Sequence, residues 1–298
     1  MRQILRFQVE SHYRRIRLDE FLFDRVHTLS RMYLRELVKN NHVQVNGEFE
    51  NIGYKLRPND FVEVDADLTR GTAMRSEKID VDSVYEDEEI IVVNKPAGML
   101  VHPTHREKNG TLLNALGYYL NHREDMAGDL IARKSIIRPG LVHRLDKETS
   151  GLMVVAKTVH SHRKLSAAFM KKRVEKRYLA LVDGIVEDDH GTIEAPIGRF
   201  AELKRWHVKV DGKPAETRYW VRERYVEKTL LELEPVTGRT NQLRIHCADL
   251  GHSIAGDTER GGSRYARLCL HAWRLAFEHP VTRKQLAFEK LPGEGFKI

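Results

Sequence analysis

The sequence predicts an α+β protein: a mixed, mainly antiparallel sheet preceded by a small module of two helices and a β-element. Three observations carry that expectation. From Val84 onward, apolar runs of strand length recur at short intervals, clearest at 90–94, 152–156, 178–182 and 230–234. Few helical stretches intervene; the main one runs from His160 to Lys172 with Leu165, Ala168 and Phe169 on one face. That ratio argues against a doubly wound parallel sheet. Ahead of residue 67 the apolar period is helical and then gives way to a hairpin signal.

In chain order, Leu18, Phe21, Leu22 and Val26 recur at helical spacing, with Asp19 and Glu20 suited to the first turn. Ser30 is placed to cap a second helix whose apolar stripe is Leu34, Leu37 and Val38. Residues 43–47, Val-Gln-Val-Asn-Gly, read as a short strand closing on the strongest hairpin dipeptide. A turn at 57–60 precedes the alternating strand from Phe61 to Asp65. The polar stretch 67–79 lacks periodicity and reads as a linker. The expected division is a first domain over 14–70, a linker over 71–79 and a second domain over 80–298.

The chain has 298 residues, 41% apolar and 31% charged, ordinary for a soluble globular protein of one or two domains. Its net charge of +7 makes a polyanion the first partner to consider. Only two cysteines, Cys247 and Cys269, are present, too few for a disulfide framework. The start lacks a signal-peptide core and no apolar run is long enough to span a bilayer. A cytoplasmic protein with no membrane association and no obligate protein partner is expected.

Charge is unevenly placed. Residues 14–47 hold seven Arg or Lys against four Asp or Glu, a local net of +3. Arg14, Arg15, Arg17, Arg31, Arg35 and Lys39 flank the helix stripes, leaving a basic face once the apolar face is covered. From Arg163 to Arg177 there are seven basic residues, among them Lys171, Lys172, Arg173 and Lys176, against the single Glu175. Such density neutralises phosphate well. A solvated helix end would account for part of it.

The segment from Arg138 to Lys157 places one carboxylate, Asp146, between a basic pair and a Thr-Ser-Gly turn. Thr149, Ser150 and Gly151 offer hydroxyl and backbone donors, and Arg144 offers positive charge. An oriented, ionised acid and a polar turn both fit this pattern. Residues 237–246 follow a strand and open a helix, with Gly238 for a tight turn and Thr240 placed as the cap. Arg239 and Arg244 leave that segment in different directions, so one can face a carboxylate and the other a phosphate. His246, Cys247, His252, Cys269 and His271 form a rival zinc-type donor set, though without a Cys-x-x-Cys or His-x-x-x-His pair. Phosphate-loop and dinucleotide fingerprints are absent from the sequence, so no nucleotide cofactor is implied.

Taken together, these stretches resemble the RluA-type pseudouridine synthases over nearly the whole chain. Residues 95–103 match the family's early loop, and 143–151, His-Arg-Leu-Asp-Lys-Glu-Thr-Ser-Gly, its catalytic motif. Residues 176–184 match its tyrosine motif, 237–246 its arginine motif and 270–280 its C-terminal strand. Residues 14–47 resemble the S4 RNA-binding module, through 17–22, the Ser30-Arg31 helix start and 43–47. The resemblance implies isomerisation of uridine to pseudouridine in structured ribosomal or transfer RNA, without metal or cofactor. It implies Asp146 as the catalytic aspartate and Tyr178 as the ring that stacks on the target uracil and assists proton transfer. Arg244 would pair with Asp146, and Arg144 would enter the space left by the flipped nucleotide. RNA contacts would fall to Arg17, Arg31, Arg35, Lys39, Lys171, Lys172, Arg173, Lys176 and Arg239.

Two positions depart from the pattern: Asn241 replaces a usual His, and Arg260 stands where a Tyr is usual in 256–262. The alternative reading is a non-catalytic RNA-binding or ribosome-assembly protein that keeps the fold. A zinc-dependent hydrolase or deaminase is the second rival.

Overall fold

The computed structural model describes residues 2–26, 29–68, 76–104, 106–122, 137–200, 205–293 and 295–296. The chain divides into two units, 1–79 with 103–139, and 80–102 with 140–298.

In the first unit, strands Arg2–Gln8 (β1), Val43–Val45 (β2), Glu48–Phe49 (β3) and Phe61–Asp67 (β4) form an antiparallel sheet in the order β1-β4-β2-β3. Alternation in β4 buries Val62, Val64 and Ala66 completely, as a half-covered strand requires. Helices Leu18–Arg25 (α1) and Arg31–Lys39 (α2) bury Leu18, Phe21, Leu22, Leu34, Leu37 and Val38, the stripes read from the sequence. The Ser30 hydroxyl accepts a hydrogen bond from the Tyr33 amide at 3.2 Å, capping α2 as expected. Asn46 and Gly47 turn the β2–β3 hairpin with φ of 53° and 85°, a conformation their side chains tolerate.

Two parts of this unit lie outside the expected 14–70 boundaries. Strand β1 pairs with β4 along its whole length, but most of its side chains are exposed, so its sequence carries little apolar alternation. Helix Leu112–Tyr119 (α3) and the described residues beside it also belong here rather than with the second unit. Its Thr111–Asn114 capping box joins Glu77, whose amide donates to the Asn114 carbonyl and whose carboxylate accepts from the Gly110 amide. Of the expected linker 71–79, residues 71–75 lie outside the described residues.

In the second unit the strands are Ser83–Glu86 (β5), Ile90–Lys95 (β6), Gly140–Leu141 (β7), Ser150–Ala156 (β8), Glu175–Asp183 (β9) and His190–Glu194 (β10). Ile197–Phe200 (β11) and Arg205–Val208 (β12) form a separate ribbon, followed by Glu216–Arg224 (β13), Lys228–Pro235 (β14), Leu270–Glu278 (β15) and Gln285–Glu289 (β16). The main sheet runs β10-β13-β14-β9-β15-β8-β6-β5, with β16 on β15 and β7 on β8. Every pairing in it is antiparallel except β8 with β15. The sheet is therefore mixed and mainly antiparallel, and the four runs read as strands fall on β6, β8, β9 and β14.

Helix Val159–Met170 (α4) covers one stretch of the sheet through Leu165, against Ile90, Val92, Leu152 and Val154. Helix Gln242–Asp249 (α5) covers another through Leu243 and Cys247, against Leu181, Leu231 and Leu233. Each such side chain contributes about 1.5–3 kcal/mol on burial.

The parallel β8–β15 contact sets Ser150 opposite His271 and Gly151 opposite Ala272. Gly151 has a φ of +122°, and a Cβ there would lie 2.4 Å from the Ala272 carbonyl oxygen. Only glycine fits on both counts. On its other edge Ala272 faces Tyr178 of β9. The register thus brings the loop ahead of β8, which carries Asp146, to the strand next but one from Tyr178. Replacing Gly151 with Ala is expected to cost about 3 kcal/mol or more in urea denaturation. A loss under about 0.5 kcal/mol would show that the two backbones can part at no cost.

Candidate active site

A cavity of about 660 Å³ opens in the second unit, and Asp146, Tyr178 and Arg244 all line it. Arg144, Lys172, Lys176 and Arg239 line it too, so seven of the residues singled out from sequence converge on one space. Lys171 and Arg173 are exposed just beyond it, and Arg17, Arg31, Arg35 and Lys39 belong to the first unit.

Asp146 is half-buried, on the turn closed by the Thr149 amide donating to the Asp146 carbonyl at 3.2 Å. Its carboxylate makes no hydrogen bond, and no ion pair within 4 Å, among the described residues. The expected hydroxyl donors point elsewhere. Ser150 Oγ is shared between His271 Nδ1 and Arg267 Nη1, and Thr149 Oγ1 is buried without a partner. Burial pushes the Asp146 carboxyl above its ordinary value of 3.8, while the charges of Arg244, Arg144, Arg260 and Lys95 pull it back. In the free protein burial prevails.

The expected Arg244–Asp146 pair is not made. Arg244 donates instead to both oxygens of Asp257, from Nε at 2.7 Å and Nη2 at 2.6 Å, and to Glu259 at 3.2 Å. Asp257 is almost fully buried, and a forked guanidinium is its best partner. It follows Gly256 in the 256–262 turn, where the resemblance marked a family pattern but assigned Asp257 no partner.

Helix α5 starts differently from expectation. Asn241, not Thr240, is the N-cap, in the left-handed region at φ 55° and with no side-chain cap bond. Asparagine tolerates that region, which accounts for the side chain found at this departure from the family pattern. Gln242 takes over the local bonding: its carbonyl accepts from Thr237 Oγ1 and the Arg239 amide, and its amide donates to the Glu216 carbonyl and Thr217. Arg239 donates from Nε to the Pro214 carbonyl at 3.0 Å.

The Asp146 loop is braced from beneath by Lys95, which has no exposed surface. Its ammonium donates to the carbonyls of Pro96, Met99 and Lys147, at 2.7, 2.8 and 3.1 Å. Burial lowers its pKa to about 8 despite the nearby charges of Glu148 and Asp146. His143 accepts from the Val154 amide at 3.1 Å and stacks on Phe169 at 4.5 Å. Burial, helped by the charge of Lys176, lowers His143 to about 3, so the ring is neutral and braces the loop without exchanging protons. Tyr178 keeps its proton as well, since burial and then the charge of Asp146 push its hydroxyl up. Arg218 and Glu234 also line the cavity and went unnoticed in the sequence, because each lies in an alternating strand where charge reads as an outward face.

The rival zinc set is dispersed. His246 bonds Thr217 and the Ala195 carbonyl, His271 bonds Ser150 and the Lys290 carbonyl, and His252 bonds the Asp183 carbonyl. Burial holds Cys247 up at about 12 and Cys269 at about 11, unsuited to thiolate ligation. Among the described residues no group of three His, Cys, Asp or Glu is placed to hold a metal.

In the first unit, Arg17 and Arg35 both hold the buried carboxylate of Asp19, at 3.0 and 2.9 Å. Part of their charge is therefore spent inside the module rather than offered to a partner. Arg31 lies over Phe23 at 5.5 Å, and Arg31, Met32 and Lys39 are exposed on α2.

The sequence pattern of the RNA pseudouridylate synthase family matches residues 89–249, more than half of the chain and a span that includes Asp146, Tyr178 and Arg244. The chain belongs to that family. An uncharacterized RNA pseudouridine synthase of Aquifex aeolicus is 39% identical over 99% of this chain and 95% of its own length. Ribosomal large subunit pseudouridine synthase D of Vibrio parahaemolyticus is 38% identical over 91% of this chain and 86% of its own. Among solved structures, human RNA pseudouridylate synthase domain containing 1 aligns over 73% of this chain and 85% of its own, with TM-score 0.59 and 26% identity. This member of the family has no helix, among its described residues, long and apolar enough to cross a membrane.

Two histidines whose pKa is strongly lowered, His143 and His271, give the synthase a pH-dependent stability. His143 is lowered to about 3 and His271 to about 4, both from 6.5. The unfolded chain takes up these protons before the folded one does. Stability is thus complete above pH 6.5 and falls as the pH drops towards 4. At pH 5 each histidine should cost about 2 kcal/mol relative to neutral pH. Urea denaturation between about pH 5 and pH 7 checks this, with the slope reduced in His271→Asn. Equal slopes in both proteins would show that the folded ring is not protected.

Proposed function

We propose that this RNA pseudouridine synthase isomerises uridine in large-subunit ribosomal RNA, with Asp146 as the reacting carboxylate. The observation that carries the assignment is the placement of Asp146 and Tyr178 in one cation-lined cavity. The ribosomal substrate rests on the relatives whose names specify the large ribosomal subunit, at 36–38% identity over most of their length.

Uridine isomerisation breaks the bond from C1′ to N1, turns the base and joins C1′ to C5; C5 then releases its hydrogen to solvent as a proton and N1 takes one up, so the formula is unchanged. It needs an anionic group beside the sugar and base, and a surface that holds the detached uracil while it turns. Asp146 supplies the first and the ring of Tyr178 the second. The Tyr178 hydroxyl, protonated across the working range, can donate a hydrogen bond but is a poor base. Both reacting carbons are hidden in a stacked strand, so the nucleotide must be drawn out at a cost of about a few kcal/mol. Lys172, Lys176 and Arg239 at the cavity can hold flanking phosphates, and Arg144, exposed on the same loop, can fill the vacated stack. The chemistry is redox-neutral and transfers no group to a second molecule, so these residues meet its demands without a cofactor.

The first unit we read as an S4-like RNA-binding module. Its support is the pair of helices with the β2–β3 hairpin and the exposed Arg31 and Lys39 of α2. With two buried free thiols and an RNA substrate, the cytoplasm is the fitting compartment.

The test is a pseudouridine map of ribosomal RNA from cells lacking the protein, complemented with wild type or Asp146→Asn. Wild type should restore at least one pseudouridine, and Asp146→Asn should lower its rate of formation by about a thousandfold or more. A modification that survives Asp146→Asn removes the catalytic assignment. A phenotype rescued equally by both proteins would favour the non-catalytic assembly role.

A further inference from the structure

Arg244 is not alone on Asp257. Arg260, at the end of the short turn Thr258–Arg260, brings its Nη1 to 3.8 Å from Asp257 and 3.4 Å from Glu259. Two guanidiniums therefore share the same two carboxylates. Asp257 is 1% exposed and the Arg260 side chain 6%. Arg260 donates from Nη2 to the Trp206 carbonyl at 3.4 Å, yet its Nε is buried without a partner. A buried donor left idle costs free energy, so a state in which it is used better accounts for its presence.

The resting arrangement poses a problem for the chemistry. Arg244 is committed to Asp257, and Asp146 has no cation within 4 Å. If Arg244 turned to Asp146, a buried Asp257 carboxylate would be stranded, among the costliest events inside a protein. Arg260 is already beside that carboxylate. We propose that Arg260 is the exchange partner that takes over Asp257 when Arg244 turns to Asp146, and is thereby a positioning residue for the isomerisation. The exchange moves side chains only; no covalent bond changes and no proton is transferred. The proposal rests on the reading of Asp146 as the reacting carboxylate.

The groups that bear on Asp146 are Arg244, Arg144, Arg260 and Lys95, with the neutral Tyr178 hydroxyl across the cavity. Arg260 thus acts on Asp146 chiefly through the freedom it gives Arg244, its own charge being a smaller influence behind those of Arg244 and Arg144. A residue that merely held the fold would leave the ionisation of Asp146 untouched.

The experiment is steady-state release of tritium from large-subunit ribosomal RNA transcribed with 5-tritiated uridine, followed between about pH 5 and pH 8. It compares wild type, Arg260→Gln and Arg260→Lys, with thermal unfolding used to confirm that each is folded. Arg260→Gln should lower kcat by about tenfold with KM within about twofold, and move the acid limb of the profile to higher pH. Arg260→Lys should recover most of both. If the Gln variant is poorly folded, Asp257→Asn alone and with Arg260→Gln decides the matter. Without the buried charge no exchange partner is needed, so the second substitution should then add less than about twofold. An unmoved acid limb, a loss confined to KM, or full additivity with Asp257→Asn would overturn the exchange. Absence of tritium release from wild type is a different result and would count against the function itself.

Discussion

No side chain fits at residue 151, because the backbone of Ala272 occupies the space a Cβ would need. The rest of the second unit depends on that contact. It is the one parallel pairing in an otherwise antiparallel sheet, so β8 and β15 can come together only through a long excursion of the chain between them. The excursion contains β9, with Tyr178, and α5, with Arg244. Closing the sheet at Gly151 and Ala272 therefore gathers residues about 30 and 100 positions apart around the loop that ends in β8. Lys95 adds a second brace from β6, three carbonyls on one ammonium, and His143 a third, through the Val154 amide.

A rigid loop is needed because of the electrostatic balance at its tip. Four cations act on Asp146, yet burial still raises its carboxyl above the ordinary value. Two unit charges about 4 Å apart interact by roughly 4 kcal/mol at an effective dielectric of 20, and less beyond that distance. None of these cations lies within ion-pair distance, so none delivers that full amount. The Asp146 carboxylate is thus left without an ion pair among the described residues of the free protein. Its strongest cation is spent on Asp257, and the binding of a polyanion with its own phosphates can redistribute the charges at small cost. A permanently paired Asp146 would be a weaker nucleophile and a poorer stabiliser of developing charge.

Much of this was legible in the amino-acid order. Strand runs such as 152–156 are apolar on both faces because β8 is central and wholly buried, and helix stripes such as Leu34, Leu37 and Val38 face one side. Helices α1 and α2 and strands β2 and β4 follow from these local signals; β1 does not, because its exposed side chains leave no alternation to read. The gathering of Asp146, Tyr178 and Arg244 in one cavity was readable only through the resemblance of their motifs to a family, since no local signal spans those separations. The real partner of Arg244 was not readable at all. An Arg on α5 and an Asp in a turn 13 positions later have no periodic relation, and their pairing is decided by which carboxylate is the more deeply buried. Thr240 failed as a cap for a related reason. The left-handed Asn241 and the side chain of Gln242 close the turn through tertiary bonds that capping statistics do not include.

The chemistry of the site turns on the ionisation of one carboxyl group. Carbon-13 NMR titration of the aspartate side chains, with the Asp146 resonance assigned by its loss in Asp146→Asn, measures it directly. The midpoint for Asp146 in the free protein should lie above the ordinary aspartate value of about 3.9, and it should fall when RNA carrying the target uridine is bound. A midpoint at or below the ordinary value in the free protein, unchanged on binding, would mean that the cations already outweigh burial and that no charge redistribution accompanies catalysis.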